Sequence, residues 1–430
     1  MKIVDVLRRI TADHRPPTTD RQPMAESQPP APGPCLPAFP PEVRLLLGCA
    51  RTELTEHRRR QVAGLLRPAL DWAYLVELAE QHGLTPLLYR HLEAIAPSAI
   101  PKPIFAQLWS LYQTNAGRNI VLTKELLRLL ALLQANDIPA IPYKGPALAA
   151  LVYGDISLRR FTDLDIVTPK PAARRAKALL EANGYYYPDR LTDAQEKAYL
   201  QSRNHHHFQL KRADDRIAVE LHWDVAPRHF FPATEVDRIW QRLEPLPLLG
   251  ATVNSFAAED LLLLLCMHGA KHGWAALEWL VGVAELLRVK PELDWPQALA
   301  RAEQWHCHRM LLLGLHLAQV LLETPLPQPV RAEIAGRPGL YPLANRIGAG
   351  LFQAKAAPAG RLGQVLDPIR IQMSAQDRRR DRLRYGLSLV TAPTVIEWRD
   401  LPLPPALFFL YPLLRPFRLA AKYTLKAIDN

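Results

Sequence analysis

Cysteine is scarce in this chain: 4 among 430 residues. Cys35, Cys49, Cys266 and Cys307 stand far apart, with no pair at the spacing of a metal knuckle or a redox motif. A disulfide framework is thereby excluded, and a reducing, cytosolic compartment is the simplest expectation. Long apolar runs are also missing, since nothing approaches the roughly 20 residues needed to cross a bilayer. Met1 to Ile10 is too short and too charged to supply a signal-peptide core. The most membrane-like stretch, Leu401 to Leu425, is broken by prolines at 402, 404, 405, 412 and 416. Packed short helices are expected there, with a surface-lying helix and peripheral membrane contact as the lesser alternative. Acid is the rarer charge, and the net +11 favours anionic partners without choosing among nucleotides, nucleic acid and anionic lipid.

What remains is a chain with 49% hydrophobic residues, enough to bury a sizeable core and to hold more than one structural unit. Residues 1–40 are rich in Pro, Gln and Ser and are expected to be disordered; Met24 within them is an alternative start. Residues 41–136 read as a helical region. Asp71-Trp72 opens one helix that ends at Gly83, Thr85 caps the next, and a long helical stretch runs from about Ile104 to Gln134. Residues 137–226 switch to short strands alternating with helices. Ile138 to Ile141 and Leu164 to Val167 read as strands, Gly145-Pro146 as a turn into a helix from Ala147 to Tyr153, and His206 to Trp223 as an antiparallel hairpin. Residues 227–330 return to helix, with Asp260 to His272, Leu277 to Val289 and Trp295 to Leu322 as the clearest segments. Residues 331–430 form a basic helical region whose arginines near 380 alternate with Asp377 and Asp381, the pattern of a solvated face.

The chemistry concentrates in the mixed α/β region. Side chains alternate along a strand with period two, so Asp163 and Asp165 share one face. On the later strand, Ile217, Val219, Leu221 and Trp223 fall on one side and Glu220, His222 and Asp224 on the other. Two like charges on one face of an apolar strand repel each other unless a cation lies between them. Carboxylates from neighbouring strands suit a hard divalent cation that also holds substrate phosphates, so Mg²⁺ or Mn²⁺ is expected with Asp163, Asp165 and Glu220. Lys144, before the Gly145 turn, and Arg159, ahead of the acidic strand, could offset phosphate charge. Their ordinary role would be surface ion pairing.

Taken in order, Asp71-Trp72, Pro86-Leu87-Leu88-Tyr89, Lys144-Gly145-Pro146-Ala147-Leu148, Leu158-Arg159, Asp163-Leu164-Asp165, Glu220-Leu221-His222-Trp223 and His268-Gly269-Ala270-Lys271-His272-Gly273-Trp274 resemble a bacterial family of nucleotidyltransferases of uncharacterised activity. It lies within the superfamily that has the DNA polymerase beta-like core. The resemblance covers roughly residues 45 to 325 and implies an α+β fold, a small mixed-sheet core flanked by N-terminal and C-terminal helical regions. It further implies catalytic and metal-binding roles for Asp163, Asp165 and Glu220, and nucleotide contacts from Lys144, Gly145, Arg159, Lys271 and His272. The implied reaction is metal-dependent transfer of a nucleoside monophosphate from a nucleoside triphosphate, ATP among them, to an unknown acceptor (small molecule, peptide, protein or RNA), with two metal ions serving the acceptor and the departing pyrophosphate.

Two departures stand out: Gly145-Pro146 replaces the superfamily's Gly-Ser or Gly-Gly, and Gly282 stands where members often carry an acid. The competing expectation is a non-catalytic binding module on the same fold, holding RNA, a partner protein or a membrane surface. His268 and His272 have the spacing of a zinc pair, but position 269 lacks the glutamate of a zinc protease. The run His205-His206-His207 is expected to be hairpin filler.

Overall fold

A computed structural model describes residues 39–66, 69–228, 236–352 and 369–428. The segment expected to be disordered, with Met24 in it, lies outside the described residues except at its last two positions. The backbone frame of the site is a five-stranded sheet, β1 (Ile141–Tyr143), β2 (Asp163–Val167), β3 (Tyr185–Tyr186), β4 (His207–Arg212) and β5 (Ala218–His222), in the order β1-β2-β5-β4-β3. β2 and β5 run parallel, and the other neighbours pair antiparallel. The register places Asp165 opposite Glu220 and Val167 opposite His222. Pairing of β1 begins only where Ile141 meets Val167, which is why the expected strand at 138–141 lies further along the chain. Ile138 instead closes the preceding helix by donating its N–H to the Leu133 carbonyl.

One sheet face rests on the long helix Lys102–Gln134. Its buried Leu122, Leu126, Leu129 and Leu133 recur at helical spacing and pack with Leu164 and Ile166 of β2 and Val219 and Leu221 of β5. Each such side chain contributes about 1.5–3 kcal/mol by leaving water. That burial fixes the phase of both strands and turns their acids to the opposite face. There the helices Ala258–Lys271 and Leu277–Val289 close over the site. Their buried leucines belong to a second apolar cluster, shared with Val43, Leu75 and Leu88 of the N-terminal helices.

Three expectations need correction. Trp295 to Leu322 is two helices, Trp295–Gln304 and His308–Leu322, broken where His306 takes φ 56°. The region after 227 is not wholly helical: β6 (Glu244–Leu248) and β7 (Ala251–Ser255) form a separate two-stranded sheet. Leu249 and Gly250 turn between them at φ 46° and 83°, and prolines at 245 and 247 are tolerated because the hairpin is all edge. Thr85 is the first helical residue rather than the cap, which falls on Leu84.

Candidate active site

β1 delivers Lys144 through a strained turn. Lys144 has φ 56° and ψ −139°, a conformation that suits glycine and costs a side-chain-bearing residue on the order of 1–3 kcal/mol. The turn aims its ammonium at the sheet: Nζ lies 3.3 Å from Asp165 Oδ1 and 4.7 Å from the Tyr143 ring centre. Gly145 follows at φ 41° and lines the same cleft.

Asp165 and Glu220 approach each other as register dictates, with His222 between them. His222 Nε2 is 3.0 Å from Asp165 Oδ1 and 3.2 Å from Glu220 Oε2. The ligand atoms of Asp165, Glu220 and His222 all lie within 4.8 Å of one another, as do those of His206, His207 and His222. Asp163 lines the cleft but stands outside both groups. Asp224 is buried beyond the cleft wall and accepts the N–H of Val225 at 2.9 Å.

The electrostatics follow from crowding. Burial would raise Asp165, but Lys144 and then His222 outweigh it and hold the carboxyl below its ordinary value. Burial likewise opposes ionisation of Glu220, and His222, His207 and Lys144 together hold it well below the carboxylate range. His222, buried but bonded to both acids, is raised. His207 is pushed down to about 3 by burial and then by His222, so it is a neutral imidazole at neutral pH. Asp163 goes the other way, to about 6, through burial and the repulsion of Asp165 and Glu220.

Because its folded value lies above the ordinary 3.8, Asp163 keeps a proton that the unfolded chain releases, and stability falls as pH rises through that window. Asp163→Asn is therefore expected to stabilise the metal-free protein at neutral pH by about 1–3 kcal/mol and to flatten that fall. Urea titrations at several pH values check it, and a variant no more stable than wild type would contradict the crowding.

Arg159 is placed by the long helix. Asn119 Nδ2 donates to the carbonyls of Ile156 (2.6 Å) and Arg159 (2.7 Å), and Asn115 Nδ2 donates to that of Ser157 at 2.9 Å. The guanidinium lines the cleft with Nε and Nη1 buried and without hydrogen-bond partners, which leaves two donors uncompensated. Lys271 and His272, at the end of the helix Ala258–Lys271, line the opposite wall. Lys271 Nζ is 3.3 Å from His206 Nε2, and burial, then Lys144, lowers it to about 8. His272 is exposed at the rim, its ring 5.3 Å from that of Trp279.

The cavity enclosed is about 530 Å³, within the size range of small-molecule sites. Phe161, Leu264, Met267 and Trp279 give it an apolar flank.

His206 and His207, expected as filler, both line the cleft, whereas His205 packs on Tyr199. Glu278 was not foreseen. It too lines the cleft, with Oε2 buried and unpartnered, and no local pattern distinguishes it from a solvent-facing helical acid. Gly282 does not line the cleft; its Cα side faces Leu148 in the core.

The donor set suits a hard divalent cation: the carboxylates of Asp165 and Glu220, with the His222 imidazole within reach of both. A small mixed sheet with acids in register on two parallel strands, flanked by a basic strand-to-helix turn, defines a nucleotidyltransferase core. The profile of the uncharacterised nucleotidyltransferase family matches residues 68–323, and the chain belongs to that family. No curated protein matches it.

Proposed function

We propose that the protein transfers a nucleoside monophosphate from a nucleoside triphosphate to an acceptor hydroxyl and releases pyrophosphate. The observation that carries this reading is the meeting, in one cleft, of Asp165 and Glu220 in register with three cationic groups, Lys144, Arg159 and Lys271. Asp165 and Glu220 would hold Mg²⁺ or Mn²⁺, with Asp163 alongside and His222 orienting the two carboxylates. Such an ion, when bound, supplies charge neutralisation to the triphosphate and acidity to the acceptor hydroxyl. Arg159 brings two unspent donors to the phosphates, while Trp279 and Met267 offer an apolar wall for the base. Pyrophosphate release measured with each of the four triphosphates, with Mg²⁺ or Mn²⁺ and fractionated cell extract as acceptor, tests the reading. Nucleotide binding without turnover in every combination would favour the binding module instead.

Lys271 gives this reading a pH signature. Its charge is lost as pH rises through about 8, so KM for the triphosphate should climb above that point. Lys271→Ala is expected to raise KM about tenfold while changing kcat by less than about threefold, as for a ground-state contact. Lys271→Arg should restore KM and remove the climb. A KM that ignores both substitutions would take Lys271 away from the phosphates.

A further inference from the structure

Thirteen large apolar side chains stand exposed among the described residues, and nine of them lie between 383 and 417. The helix Arg379–Thr391 carries Leu383, Leu387 and Val390 at spacings of four and three, hence on one face. Leu383 is 74% exposed and Leu387 61%. Phe409, Leu413 and Phe417, at 67%, 61% and 75% exposure, form a second stripe along the turn Pro405–Leu410 and the helix Tyr411–Ile428. These two helices pack on each other. Their inner sides are satisfied: Arg415 Nη1 donates to Glu397 Oε2 at 2.9 Å, and Tyr411 stacks on Trp398 with ring centres 5.7 Å apart.

Charge selects the occupant of the outer sides. Residues 378–418 hold eight arginines against three acids. Each of those acids, Asp381, Glu397 and Asp400, is already in an ion pair with arginine. Arg380 and Arg384 are 59% and 58% exposed and share the helix surface with Leu383 and Leu387. Exposed apolar side chains flanked by exposed arginines on one helix match the boundary of an anionic bilayer, where acyl chains take the apolar groups and phosphates take the guanidinium groups. A second copy would set the same arginines against each other. No described helix is long and apolar enough to cross a membrane, so the contact is with the surface.

We propose that the outer faces of these C-terminal helices seat the protein on an anionic membrane surface. The proposal is independent of the chemistry in the cleft. Co-sedimentation of the full chain with phosphatidylcholine vesicles, with and without phosphatidylglycerol, tests it. Binding is expected to be at least about tenfold stronger with the anionic lipid and to weaken with salt. The pair Leu413→Glu/Phe417→Glu and the pair Arg380→Glu/Arg384→Glu should each lower it by about tenfold or more. The melting curve of the first pair should stay close to wild type, since Leu413 and Phe417 face solvent; the second pair also gives up the ion pairs of Arg380 and Arg384 with Asp381, so its vesicle binding is compared with wild type below its own melting temperature. Absence of binding, or equal binding to neutral and anionic vesicles, would overturn the proposal. So would a dimer in sedimentation velocity that the first pair disperses, which would assign the face to a second copy.

Discussion

Asp165→Asn is expected to lower triphosphate-dependent pyrophosphate release by at least roughly a hundredfold, the order lost when one preorganised electrostatic group is taken from a reaction centre. The substitution keeps the shape and removes the charge. Asp165 is only 6% exposed and touches both Lys144 and His222, so its loss removes the proposed cation ligand and the counter-charge of Lys144 together. Leaving a buried partner alone can cost about 3–5 kcal/mol. Glu220 and Asp163 also act on Lys144, which should bring the penalty below that range and leave the chain folded. Circular dichroism and a thermal melt confirm the fold, and wild-type turnover in the folded variant would remove nucleotidyl transfer at this site from consideration.

The largest loss of stability is expected at Trp274. Its ring is fully buried and lies where a methyl group on Gly269 or Gly314 would have to be; at Gly314 that methyl would come within 2.9 Å of the ring and 2.8 Å of Cys266 Sγ. Trp274→Ala should therefore cost about 3–5 kcal/mol, and Gly269→Ala about 1–3 kcal/mol through overpacking. Both are read by urea denaturation of the full chain. A change within about 0.5 kcal/mol for Trp274→Ala, the size of an ordinary surface substitution, would show that the ring is not a keystone of the packing. The His-Gly-Ala-Lys-His-Gly-Trp segment thus divides its work: Gly269 and Trp274 make the helix joint, and Lys271 faces the cleft.

The face of the sheet that carries the acids was legible because period two is a property of the strand itself: Leu164 and Ile166 go inward, so Asp163 and Asp165 go outward. The same rule, applied with the apolar partners Val219 and Leu221, placed Glu220 and His222. It does not extend to His206 and His207, neighbours in sequence that both line the cleft. Alternation sends neighbouring side chains to opposite faces only within a strand, and His206 precedes the first paired residue of β4. Asn115, Asn119 and Glu278 escaped for another reason. Their roles come from which carbonyls or cavities a neighbouring element presents, and a helix sequence carries no record of its neighbours. The hairpin at 244–255 was hidden by its two prolines, which argue against a strand everywhere except at an edge.

The parallel pairing of β2 with β5 also governs when the site can exist. Asp165 and Glu220 face each other across some fifty residues of intervening chain, and closing so long a loop is slow compared with forming the helices around it. On a chain emerging from the ribosome, the two aspartates are exposed well before Glu220 has been made. On the proposed function, nucleotide would be gripped only by a molecule whose sheet is already closed. Occupancy then feeds back on folding, adding about 2.7 kcal/mol when the ligand stands at a hundred times its Kd.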